Sequence, residues 1–201
     1  MTKDELLTPL LRLRADQVVV TTMGLVRPWG RLSRHALDFA SADSAMAHAA
    51  DFALGIALAR PERTVICLNG DGSMLMSLGT LVTIVESGAR NLVLLVAENG
   101  TYEVTGNQRI PGAGRVDFAA MARGAGFPRA ERFADASTYA AALPALLRSP
   151  GPSCVVVDVE PGDEAPLGRG PGQDVACLRP SLAESARALR GALADPSSSG
   201  T

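Results

Sequence analysis

The chain has 201 residues, 47% of them hydrophobic and 20% charged, with a formal net charge of −2. That is enough apolar material for one domain with a buried core, and the near-neutral balance offers no basic field to nucleic acid or to an anionic membrane. Arg60, Pro61, Glu62 and Arg63 interrupt the longest apolar stretch before it reaches the roughly 18 residues of a membrane span. The start, Met-Thr-Lys-Asp-Glu, has no apolar signal region behind it, so the expected compartment is the cytoplasm.

Short β-branched runs alternate with longer helical segments, the pattern of an α/β fold with a parallel sheet flanked by helices on both faces. In chain order, a strand is expected over 17–22, then a loop around a short helix over 24–42, and a helix over 44–59. A strand follows over 64–68, a helix over 73–87 and a strand over 92–97. A polar, glycine-rich loop over 99–114 precedes a helix over 117–124, a weaker strand over 129–133 and a helix over 137–148. The last strand is expected over 153–159, followed by extended surface chain over 160–177 and a helix over 181–193. The strands are almost continuously apolar, as expected where helices cover both faces, and most of the helices open on Ser or Asp. The whole reads as one domain over 1–195 with a disordered tail over 196–201.

Cys67, Cys154 and Cys177 form no Cys-x-x-Cys pair, and Cys67 and Cys154 lie in apolar runs, so structural thiols are expected rather than metal ligands or an iron–sulfur site.

The chemistry-bearing stretch begins where the second expected strand ends, at Leu68-Asn69-Gly70-Asp71-Gly72-Ser73. Ligands of open α/β sheets bind at the carboxyl ends of strands. Glycines on either side of Asp71 let a bulky anion approach, and the following helix offers it free N–H groups. Alone, Gly-Asp-Gly reads first as a turn. The next strand ends at Glu98-Asn99-Gly100-Thr101-Tyr102, and parallel neighbours bring such ends together. Asp71, Asn99 and a backbone carbonyl are then hard oxygen ligands suited to Mg²⁺; Asn99-Gly100 is also compatible with a plain turn.

Gly70-Asp71-Gly72, then 26 residues, then Asn99 resembles the metal–diphosphate signature of thiamine diphosphate (ThDP) dependent enzymes. The resemblance implies a diphosphate-binding (PP) domain in which Asp71, Asn99 and the Thr101 carbonyl bind Mg²⁺. It also implies that Gly70, Gly72 and Ser73 meet the cofactor diphosphate. Glu98 stands where the family often has a first Asn. Met46, 25 positions before Asp71, resembles the apolar wedge that supports the bent cofactor in acetolactate-synthase-like members. The run Asn99-Gly100-Thr101-Tyr102-Glu103-Val104-Thr105-Gly106-Asn107-Gln108 is similar to the corresponding loop of sulfopyruvate and phosphonopyruvate decarboxylases; Tyr102 and Gln108 are expected either to lie over the cofactor or to pack within the loop. The likeness runs from about Val18 to Pro161 and includes the turn Thr21-Thr22-Met23-Gly24.

The resemblance further implies the β-type half of a split decarboxylase acting on a small anionic 2-oxo acid. Such a chain is inactive alone, because a pyrimidine-binding (α-type) subunit must supply the activating glutamate in a hetero-oligomer. A ThDP carboligase subunit of the acetolactate or acyloin type, and a non-catalytic ThDP-binding scaffold, are the other readings. His48 is placed by the resemblance as a catalytic proton-transfer candidate or a diphosphate donor, with a structural histidine as the alternative. Arg27, Arg31 and Arg34, following the first strand, are expected either to face an anionic substrate or to form a solvated loop. Trp29 between them is expected to line the pocket or an interface, and His35 to be structural.

Overall fold

Valine, leucine and isoleucine fill both sides of the central strands because helices cover both. The computed structural model describes residues 1–42 and 46–194. Its main sheet is built from β1 (Val18–Thr22), β2 (Asp38–Ser41), β3 (Val65–Gly70), β4 (Leu92–Glu98), β7 (Arg129–Phe133) and β8 (Ser153–Asp158). The strands are all parallel, in the order β2-β1-β3-β4-β8-β7. A separate antiparallel hairpin, β5 (Thr101–Tyr102) with β6 (Gln108–Arg109), rises from the stretch expected to be loop. Alternate residues serve opposite cores. Val18, Val20, Val65, Cys67, Leu94, Val96 and Val156 pack on one side, against α3 (Ala49–Ala59), α5 (Gly79–Glu86), α6 (Phe118–Ala125) and α8 (Leu182–Ala194). Val19, Ile66, Leu68, Leu95, Val155 and Val157 pack on the other, against α1 (Lys3–Leu13), α2 (Val26–Leu32) and α7 (Ala136–Arg148). Burial pushes the Cys154 thiol up to about 12 and that of Cys67 higher still, so both behave as small apolar core residues.

Several boundaries differ from the sequence expectation for identifiable reasons. The expected helix over 73–87 is two: α4 (Asp71–Met76) opens directly on Asp71, and Ser77 leaves helical geometry before α5. The Ser77 hydroxyl lies 2.6 Å from that of Thr80, which donates to Asp51 Oδ1 at 2.7 Å, so local side-chain bonding stabilises the break. Ser44, the expected start of the helix before β3, lies outside the described residues, as does the tail; chain is described again from a 3₁₀ turn over Met46–His48. The cap of α7 is Asp135, which accepts from Thr138 N at 2.9 Å, two residues before the Ser137 expected to start it.

Besides that hairpin, α1 and β2 were not anticipated. α1 is announced by a capping box, Thr2 Oγ1 accepting from Glu5 N at 3.2 Å while Glu5 Oε2 accepts from Thr2 N at 2.8 Å. β2 is a four-residue edge strand whose position is set by Asp38. The Asp38 carboxylate accepts from Trp29 Nε1 at 3.0 Å and Ser33 Oγ at 2.5 Å, and pairs with Arg14 at 3.0 Å. Trp29 is therefore core, neither pocket wall nor interface, and His35 is structural, its Nδ1 accepting from Leu37 N at 3.1 Å.

The arginine cluster after β1 also has a structural task. Arg27 is buried and donates to the Asp174 carboxylate, to Gln173 Oε1 at 3.0 Å and to the Pro166 carbonyl at 3.3 Å. Arg31 bonds Glu164 at 2.5 Å, and Arg34 is exposed. Arg27 and Arg31 thus strap the extended chain after β8 onto α2, and neither lines the cavity described below. Among the described residues no helix is long and apolar enough to cross a membrane.

Removing Asp38 strands a buried guanidinium and an indole N–H. Asp38→Ala should cost about 2 kcal/mol or more, read as a lower denaturant midpoint. Fluorescence of the lone tryptophan should report the change; an unchanged midpoint would contradict this account of β2.

Candidate functional site: a cofactor cavity at the sheet switch point

Between β1 and β3 the chain reverses its direction of travel across the sheet: β1 leads to β2 on one side, whereas β3 leads to β4 on the other. The carboxyl ends at such a point splay apart and leave a crevice. A cavity of about 310 Å³ sits there. Its lining includes Thr22, Met23 and Gly24 after β1, Gly70 to Ser73 after β3, and Asn99, Thr101 and Tyr102 after β4. Met23 holds a left-handed backbone, φ 46, at the turn into the cavity, a strained conformation of the kind that gathers at binding sites.

The decisive contact joins two strand tips. β3 and β4 run in register, Gly70 opposite Ala97. Past those ends, Asp71 Oδ2 accepts from Gly100 N at 2.7 Å, and Oδ1 accepts from its neighbour Gly72 N at 2.8 Å. Gly100 adopts φ +74, which only glycine takes without cost, and this turns its N–H back toward Asp71. Asn99 Oδ1 accepts from Thr101 N at 2.9 Å, closing the turn. Asp71 and Asn99 thereby flank one side of the cavity together with Thr101. Burial raises the Asp71 carboxyl to about 6, with the Gly100 and Gly72 N–H groups pulling it down and Glu98 pushing it up. The two N–H donors leave this buried carboxylate with lone pairs for a further partner. The donor set of one carboxylate, one amide oxygen and one carbonyl fits a hard divalent ion that keeps open positions for water and phosphate.

Two glycines set how closely other groups can approach these oxygen atoms. A Cβ at Gly70 would meet nothing within 4 Å, whereas one at Gly72 would lie 2.7 Å from the Tyr102 ring. Tyr102 therefore lies against the backbone of the β3–α4 turn, and only glycine at 72 admits it. Ser73 donates its hydroxyl to the Met46 carbonyl, which fixes the 3₁₀ turn and holds Met46 at the cavity wall. That hydroxyl is thus spent as a donor, leaving the Ser73 N–H for a ligand.

Of the residues singled out from the sequence, Met46, Gly70, Asp71, Gly72, Ser73, Asn99, Thr101 and Tyr102 line this one cavity. His48 does not: its side chain is 68% exposed and its Nδ1 lies 2.7 Å from Asp51 Oδ2. Gln108 is exposed and bonds within its own hairpin, to the Thr105 carbonyl at 2.7 Å. Glu98, at the position of the family's first Asn, turns to Arg132, accepting at 2.8 and 3.2 Å; Arg132 also reaches Asp158 at 2.7 Å, tying β4, β7 and β8 together. Sequence reading missed Lys3, Met76, Glu103 and Val159, which also line the cavity. Lys3 and Val159 reach it from chain segments far from either glycine turn, which no motif flags. Glu103 was in view within the matched loop, and its burial was the unread signal.

Comparison with known proteins places this geometry. Residues 21–157 match the model of the thiamine pyrophosphate enzyme, C-terminal TPP binding domain. A phosphonopyruvate decarboxylase from Streptomyces hygroscopicus is 38% identical over 125 residues, 62% of this chain and 31% of that protein. The sulfopyruvate decarboxylase subunit beta of Methanothermobacter thermautotrophicus is 39% identical over 118 residues, 59% of this chain and 60% of that one. The chain thus aligns with about a third of the first relative and three fifths of the second. Among solved structures, the thiamine diphosphate-dependent 4-hydroxybenzoylformate decarboxylase of Rhodococcus jostii RHA1 superposes with a TM-score of 0.68 at 21% identity, over 82% of this chain and 33% of that chain, a likeness of fold. With a glycine-flanked aspartate, the following strand-end asparagine and a family match over most of the sheet, the chain belongs to the C-terminal TPP-binding domain family of thiamine pyrophosphate enzymes.

Proposed function

We propose that this chain is the diphosphate-binding subunit of a two-chain ThDP-dependent decarboxylase acting on a small anionic 2-oxo acid of the phosphonopyruvate or sulfopyruvate type. The observation that carries the reading is the Asp71–Gly100 hydrogen bond, which joins two strand tips into one oxygen-rich wall beside the cavity. Asp71, Asn99 and the Thr101 carbonyl hold Mg²⁺; Gly70, Gly72 and the Ser73 N–H face the diphosphate. When bound, ThDP supplies the carbon nucleophile that adds to a keto carbon and the electron sink into which CO₂ departs. This chain's own residues anchor the polar tail, with Met46 and Tyr102 packing against the cofactor. The apolar cavity residues, Met76 and Val159 among them, keep water from the reacting end.

The partner is a pyrimidine-binding subunit that contributes the activating glutamate. Support comes from Met76, which lines the cavity and is 48% exposed, an apolar side chain left for a second chain to cover, and from the subunit naming of the sulfopyruvate relative. His48 keeps a proton-transfer role only if the partner's arrival closes that turn over the substrate.

Three outcomes are expected. Co-expression with the pyrimidine-domain partner should give CO₂ release from phosphonopyruvate or sulfopyruvate when ThDP and Mg²⁺ are supplied. Release from neither acid by a complex that binds the cofactor would refute the decarboxylase assignment. Asp71→Ala should remove Mg²⁺-dependent ThDP binding, followed by calorimetry, while its circular dichroism stays native; retained affinity would refute the metal site. Gly72→Ala should drive the new methyl into the Tyr102 ring and weaken ThDP binding by about tenfold or more, on the scale of about 1–3 kcal/mol for overpacking. Wild-type affinity in that variant would show that Tyr102 has room to move.

A further inference from the structure

Glu103 is a carboxylate buried to 7% exposure in the wall of the cofactor cavity, a placement that demands an explanation. Its Oε1 accepts from Lys3 Nζ and from Glu164 N at 3.3 Å. Its Oε2 accepts from Gly162 N at 3.2 Å and from Asn99 Nδ2 at 2.9 Å. Four donors from three separate parts of the chain converge on it, and one of them is the amide of the proposed metal ligand.

An asparagine amide presents either its oxygen or its NH₂ in a given direction, and the two ends are nearly the same shape. A metal ligand needs the oxygen end. An ionised carboxylate accepts and never donates, so Glu103 admits only the NH₂ end of Asn99 on its side. The oxygen must then face the opposite way, where it accepts from Thr101 N at 2.9 Å beside the Asp71–Gly100 contact. Lys3 neutralises the carboxylate, so the orienting charge does not compete with Asp71 for the divalent ion. Partners standing behind a ligand and fixing its orientation are a general means of tuning a metal site.

We propose that Glu103, neutralised by Lys3, is a positioning residue that locks the Asn99 amide with its oxygen toward the divalent cation; this rests on the metal reading of Asp71 and Asn99. Through Lys3 and the Gly162 and Glu164 N–H groups, the same carboxylate ties the start of α1 and the chain after β8 to the ligand turn. The start of α1 and the segment after β8 thereby bear on metal affinity.

The test uses the co-expressed pair and reads ThDP binding against Mg²⁺ concentration by calorimetry, with Mn²⁺ paramagnetic resonance as a second readout. Glu103→Gln keeps the shape but can offer an NH₂ to Asn99, so the amide is no longer forced one way. The Mg²⁺ concentration for half-maximal ThDP binding should rise about 10- to 100-fold, and the Mn²⁺ spectrum should change. A merely structural role would lower the melting temperature and leave both readouts alone. Should wild type bind ThDP without a divalent ion, or Asp71→Ala bind like wild type, the metal reading falls and the Glu103 assignment with it. If those two controls behave as required while Glu103→Gln shows the wild-type Mg²⁺ dependence, only the Glu103 assignment falls.

Discussion

A single hydrogen bond, from the Gly100 amide to the Asp71 carboxylate, converts two adjacent strand ends into one surface. Neither strand alone can make a site of this kind: β3 contributes the carboxylate and β4 the amide oxygen, and only their parallel register brings the turns level. The arrangement has an energetic cost. Asp71 is buried, and burial shifts its carboxyl toward protonation, so the fold concentrates negative charge where water cannot solvate it. A cation at this point would offset that cost, which is the energetic basis of the metal site proposed above.

The surrounding structure holds that junction rigid from several directions. The Ser73 hydroxyl binds the Met46 carbonyl and so couples the first turn of α4 to the segment before α3. Arg132 clamps Glu98 and Asp158, fixing the carboxyl ends of β4 and β8 just beside the ligand turn. Asn107 donates to the Gly162 carbonyl at 2.9 Å and accepts from Thr101 Oγ1 at 2.8 Å, so the β5–β6 hairpin is tied both to the ligand turn and to the chain after β8. These contacts cross long sequence distances, and they make the cavity wall a product of the whole sheet rather than of one loop.

What the residues disclosed in advance follows the same division. The four buried strands were legible because strands covered on both faces are apolar throughout, and the glycine-flanked Asp71 with Asn99 was legible because parallel topology forces strand ends together. β2 was not legible: it is four residues long, lies at the sheet edge and owes its position to Asp38 meeting Arg14 and Trp29, a contact with no local pattern. α1 carried a readable capping box that was passed over. The arginines after β1 were expected either to face a substrate at that sheet edge or to form a solvated loop, yet the partners of Arg27 and Arg31 lie well over a hundred positions away in sequence. Glu103 escaped notice because a glutamate in a polar loop looks solvated, and only tertiary burial reveals it.

The fate of those arginines bears on how an anionic substrate would be received. Among the described residues lining the cavity the only Lys or Arg is Lys3, and Glu103 already holds its charge. Arg27 and Arg31 are committed to Asp174 and Glu164. What remains among the described residues on this side is a wall with no Lys or Arg left to pair with a phosphonate or sulfonate. If the substrate is such an acid, the charge that recognises it comes from the partner chain, while this chain contributes the metal site and the dry wall. The two subunits would then divide the labour by polarity: one grips the cofactor's diphosphate through a cation, and the other selects the acid.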